Sequence, residues 1–140
     1  MSTITISHDY SNSLTHVEVV GELDHHDVLP VLRDCYEEKS SSLFIWDFSK
    51  GNLKEITADD LRKLAHIAQE FGPNQITGKT ALVMEKRANF GVGRMFEVYA
   101  ESQGLPYEIR TFYTEEKALE WLDLKNAVLH FDRRKKVESN

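Results

Sequence analysis

Cysteine is almost missing from this chain of 140 residues: Cys35 stands alone, which excludes an internal disulfide and any paired-cysteine redox or zinc site. Long apolar runs are missing too. LFIW and ALVM are the longest, at four residues each, against the roughly 20 that a membrane-crossing helix needs. Residues 1–10 hold no basic start followed by an apolar stretch, the pattern of a secretory leader. The expectation is a soluble, cytoplasmic protein with no membrane span. FGVGR places Gly91 and Gly93 where a strand turns into a helix, but Phe96 fills the third-glycine position of the dinucleotide fingerprint. Ser49 has no G-x-S-x-G context, so a hydrolase elbow is not expected.

Basic residues are outnumbered, 17 Lys and Arg against 23 Asp and Glu, for a net charge of -6. That charge is unevenly placed. Residues 124–140 carry Lys125, Arg133, Arg134, Lys135 and Lys136 against Asp132 and Glu138, a net +3 that leaves -9 on the residues before them. An acidic body argues against binding nucleic acid. The basic stretch without interleaved aromatics reads as a solvated extension or one that docks on the body.

What is present is a regular alternation of strand and helix patterns. With 41% hydrophobic and 29% charged residues, the length suits a single globular domain. Thr3 to Ser7 and Leu14 to Val20 read as strands joined by the turn-rich DYSNS. The second alternates, with Thr15, Val17 and Val19 on one face and His16, Glu18 and Val20 on the other, so one face should be less deeply covered. Asp24 to Glu38 comes next as a helix. Because Pro30 lacks a donor and belongs in a first turn, Asp27 is favoured over Asp24 as its cap.

Leu43 to Phe48 and Thr80 to Met84 are continuous apolar strands, expected beneath helices on both faces. Between them Thr57 to Phe71 is a helix, with Thr57 and Asp60 close to a capping box and Gly72-Pro73 as its stop. Val92, Met95, Phe96 and Tyr99 mark another helix, with Asn89 as the expected cap and Gly104 and Pro106 as the end. Tyr107 to Tyr113 alternates like an edge strand, and Thr114 caps a last helix with Ala118, Leu119, Trp121 and Leu122. The expected fold is an α/β single domain with a mostly parallel four- to five-stranded sheet in β-β-α-β-α-β-α-β-α order. It spans residues 1–123, and residues 124–140 form a basic C-terminal extension.

That order, the GELD turn into the first helix, the WDFS strand end, and KTALVMEKRANFGVGRMFEVYAESQGLPYEIRTFYTEEKALEWL together resemble the small bacterial STAS-like domains. That SpoIIAA-like superfamily includes the anti-sigma-factor antagonists of sporulation, and its fold is shared with lipid-binding CRAL-TRIO domains. The resemblance implies a non-catalytic interaction or regulatory module, binding a protein partner or itself. The alternative it implies is a carrier or sensor of a small apolar, lipid-like ligand held between sheet and helices. The antagonists carry an aspartate followed by a phosphorylated serine after the WDFS-like strand. Here those positions are Glu55 and Ile56, so a phosphoserine switch is not carried over, and the neighbouring Thr57 reads as a helix cap.

The candidate interaction or ligand surface is Asp47, Ser49, Lys50, Glu55 and Thr57 after the third strand, with Phe90, Gly91, Gly93 and Arg94 at the third helix. For the two glycines, close packing stands against an anion site built from bare backbone N–H groups beside Arg94. No catalytic set, metal site or cofactor is expected. His25, His26, Asp24 and Asp27 are neighbours that point in different directions, and His8, His16, His66 and His130 show no ligand spacing. Cys35 lies on an apolar stripe and reads as core.

Overall fold

The computed structural model describes residues 2–37, 42–71, 78–105 and 108–138. Its elements run β1 (Ser2–Asp9), a short 3-10 turn (Tyr10–Asn12), β2 (Leu14–Glu22), α1 (His25–Glu37), β3 (Leu43–Asn52), α2 (Ala58–Phe71), β4 (Lys79–Val83), α3 (Arg87–Ser102), β5 (Glu108–Phe112), α4 (Glu115–Trp121) and β6 (Asp132–Glu138). The sheet has six strands in the order β5-β4-β3-β2-β1-β6. β2 through β5 pair in parallel, with Trp46 beside Leu82, and β1 and β6 complete one edge antiparallel. Among the described residues, no helix is long and apolar enough to cross a membrane.

The expected order holds as far as α4. The sixth strand was not expected: the C-terminal stretch continues the domain, and β6 pairs along β1 from Thr3 opposite Glu138 to His8 opposite Asp132. An extra residue bulges β6 opposite Ile6 and Ser7. A bulge and a row of Lys and Arg are devices that keep an outermost strand from recruiting another chain.

Strand order dictates the layers. β2, β3, β4 and β5 succeed one another across the sheet, so each right-handed crossover lays its helix on the same face. Val17, Val19, Phe44, Trp46, Phe48, Leu82 and Met84 point to that face and pack with Val28, Val31 and Leu32 of α1, Leu64 of α2, and Phe90, Val92 and Phe96 of α3. Among the described residues, the opposite face is covered by the chain beyond β5. There Leu14, Ile45, Ala81 and Val83 pack against Ala118 of α4, its C-cap Leu122 and, past it, Leu124, Ala127 and Leu129. Burying a leucine such as Leu124, 9% exposed, contributes about 1.5–3 kcal/mol, which ties the segment after α4 to the body. Asp9 adds a polar anchor by accepting hydrogen bonds from Asn12 Nδ2 (2.8 Å) and the His130 N–H (3.0 Å).

The caps account for most helix starts. Thr57 Oγ1 accepts from the Asp60 N–H at 3.1 Å while Asp60 Oδ2 accepts from the Thr57 N–H at 3.0 Å, a reciprocal box. Thr114 Oγ1 accepts from the Lys117 N–H. At α1 the cap is Asp24, not Asp27: Asp24 Oδ1 accepts from the His26 N–H at 2.8 Å, and Asp27 reaches back to the Asp24 N–H. This box places Pro30 inside the helix. The missing donor at Pro30 is offset by a well-capped start and by Val28, Val31 and Leu32 in the core. α3 ends at Ser102 with Gln103 as its C-cap, and Gly104 follows with a φ of +67° that suits glycine. The Cys35 side chain, expected in the core, is not among those described, and the Gly72-Pro73 stop, Pro106 and Tyr107 lie outside the described residues.

Candidate functional site

Two surfaces meet where β3 runs into α2 and where α3 begins. Asn89 joins them, and it is not the helix cap: α3 starts at Arg87, after Lys86. Asn89 is buried at 4% exposure. Its Nδ2 donates to Gly51 O at 3.0 Å, and its Oδ1 accepts from the Leu53 N–H at 3.2 Å. Lys86 Nζ donates to the same Gly51 carbonyl at 3.1 Å. An amide filling both a donor and an acceptor of a loop fixes that loop, because an unpaired buried polar group costs about 1–3 kcal/mol. Gly51 and Leu53, at the end of β3 and just past it, are thereby tied to the start of α3.

At this corner Phe90 stacks on Tyr113 at 3.8 Å between ring centres and 5° between planes, and Tyr113 stays 49% exposed. Farther along α3, Met95 and Val98 are exposed as well. Glu55 and Thr57 are exposed on the α2 side, with the Thr57 hydroxyl engaged in its box. Arg94 is exposed and pairs with Glu97 at 3.4 Å.

The two glycines separate. A Cβ on Gly91 would meet nothing within 4 Å, whereas one on Gly93 would fall 2.7 Å from Met84 Sδ and 2.8 Å from Thr111 Cγ2. Gly93 is thus a close-packing glycine against the sheet and not part of the exposed surface. Both lie within α3, past the first turn where helix N–H groups lack internal partners, so the anion reading finds no bare donors there.

Asp47 leaves this corner. It stands two residues after Ile45 and so shares the α4 face of the sheet. Asp47 Oδ1 accepts from the Ser49 N–H at 2.9 Å. Beyond Asp47 the β2–β3 register shifts by one residue, with Glu18 opposite Asp47 and Val20 opposite Lys50. On this face α4 lies over β4 and β5, and Thr5, Ser7, His16 and Glu18 of β1 and β2 line a groove of about 520 Å³ with Glu115 and Phe131.

His16 Nε2 and Glu115 Oε1 are 3.0 Å apart. The bond from His16 holds the Glu115 carboxyl below its usual range, against the opposing effect of burial. Phe131 meets the His16 ring edge-on at 5.5 Å. The ligand atoms of His16, Asp47 and Glu115 all lie within 4.8 Å of one another. Sequence reading passed over His16 and Glu115, because residues on three separate elements meet only through strand register. The one available signal was His16 on the polar face of an alternating strand.

A third feature is apolar. Between the sheet and the three-helix layer lies a cavity of about 80 Å³ walled by residues such as Trp46, Phe48, Leu64, Met84, Val92 and Phe96. Ligand pockets usually run to about 300–1,000 Å³.

Fold and surfaces together define a single α/β domain with one helix-covered face and one half-open face. No family model and no curated protein matches the chain.

Proposed function

We propose that the chain is a non-catalytic interaction module of the STAS-like, SpoIIAA-like kind, which binds a protein partner or a second copy of itself at the corner of the β3–α2 loop and α3. The observation that carries this reading is the Asn89 clamp, which holds the loop against α3 beside the solvent-facing Phe90–Tyr113 stack. The rigid aromatic pair supplies an anchor of the kind that protein interfaces favour, and Val98 adds an exposed apolar side chain farther along α3. Lys50, Lys86, Arg87 and Arg94 at the rim favour an acidic counterpart. A phosphoswitch of the antagonist type is not part of the reading, since Ile56 has no hydroxyl and that of Thr57 caps α2.

Light scattering across a concentration series tests self-binding. A dimer that Val98→Glu converts to monomer without lowering the melting temperature supports it, and a wild-type chain monomeric throughout refutes it. The partner form is tested by proteins co-purified from the native cell: it stands if Val98→Glu removes one of them and fails if the set is unchanged.

The apolar cavity favours a second reading, carriage of a small apolar ligand. At about 80 Å³ the space takes only a few carbon atoms, so a lipid-like guest requires α2 and α3 to part from the sheet. Native mass spectrometry of freshly purified protein decides this: retained mass supports carriage, and the bare chain mass argues against it.

A further inference from the structure

The polar end of the α4 face is independent of the corner just described. We propose that His16, Asp47 and Glu115 form a binding site for a divalent transition-metal ion of the zinc class. The donor set is one imidazole nitrogen and two carboxylate oxygens. Borderline cations take such mixed nitrogen and oxygen ligands, whereas calcium and magnesium prefer oxygen throughout. Three protein ligands leave further positions for water or an incoming molecule, and the groove beside them, walled by Thr5, Ser7 and Glu18, has the room for either.

Placement supports the assignment. His16 and Asp47 sit on adjacent parallel strands whose register is fixed by the hydrogen-bond ladder, and α4 brings Glu115 over them. The Ser49 N–H orients the Asp47 carboxylate at 2.9 Å, the kind of supporting contact that metal ligands receive. Phe131 braces the His16 ring edge-on, and the His16 side chain is only 17% exposed.

Metal bonds of about 2.0–2.1 Å in a tetrahedron place ligand atoms about 3.3 Å apart. The His16–Glu115 pair, at 3.0 Å, already meets that spacing. Only the distances to Asp47 need to close, which side-chain torsions can supply while the strands stay in place. The ion replaces the His16–Glu115 hydrogen bond with a bond to each partner and balances two carboxylate charges.

The test is calorimetric titration of zinc into the full chain after treatment with a chelator. One site per chain is expected, and His16→Gln and Asp47→Asn should each weaken it by at least about tenfold. His66→Gln, at an exposed helical pair with Glu70, should leave it unchanged. Proton NMR of the wild-type chain keeps the test valid if a variant fails to fold: the His16 ring signals should move first as zinc is added. The proposal is overturned by no binding at about 100 µM zinc, by binding that survives both substitutions, or by shifts confined to the other histidines.

Discussion

Gly91 and Gly93 are two residues apart in one helix, and what surrounds each decides what an added methyl group does. At Gly91 the space is open, so Gly91→Ala should stabilise the protein by up to about 1 kcal/mol through helix propensity. At Gly93 the methyl group meets the flexible Met84 Sδ but also the stiff, β-branched Thr111. Gly93→Ala should therefore destabilise by about 1–3 kcal/mol, and melts of the two variants in parallel would show the opposite signs. Thr111 adds a related case. Its Oγ1 is buried with no hydrogen-bond partner among the described residues, so Thr111→Val should be neutral or stabilising in denaturant titration. The glycine pair was visible in the sequence, but which member packed was not, because that depends on the side of α3 facing β4 and β5. Asn89 was misread for the same reason. An Asn near a helix start is most simply a cap, and only the tertiary fold shows that Gly51 and Leu53 take its amide instead.

Elements were read best where local chemistry and burial agreed. The apolar runs of β3 and β4, the amphipathic α2 and α3, and the Thr57 and Thr114 caps all stand where the sequence placed them. Thr57→Ala should lower stability by about 1 kcal/mol, measurable as a shift in the urea midpoint with an unchanged slope. α1 began earlier than expected because the rule confining proline to a first turn was given more weight than the Asp24–Asp27 box. β6 escaped for a different reason: DRRKKVE has neither alternation nor an apolar run. An outermost strand can carry such a sequence because backbone pairing with β1 is enough to form it. The His16, Asp47 and Glu115 group was equally hidden, since sequence spacing says nothing about three elements that sheet order brings together.

For the molecule as a whole, acid should act through the ties of the C-terminal segment and of α4. The Asn12 side chain, chiefly, holds the Asp9 carboxyl below its ordinary value, and His16 does the same for Glu115. Lowered folded values mean that the stability they contribute is present above the ordinary carboxylate range and is lost as pH falls through the folded values. Melting temperature should thus drop between about pH 5 and pH 3, and Asp9→Asn should flatten that drop. Removing residues 124–140 should do more than trim a tail. It uncovers Leu14 and Ile45 on the α4 face and strips β1 of one neighbour, so the truncated chain should melt lower and bind a hydrophobic dye. β1 is made before the other described strands, yet one of its two flanking strands, β6, is the last of them to be made, with Thr3 finding Glu138. Until β6 emerges that flank stays open to any stray strand, so the sheet is closed by its last strand and not by its first.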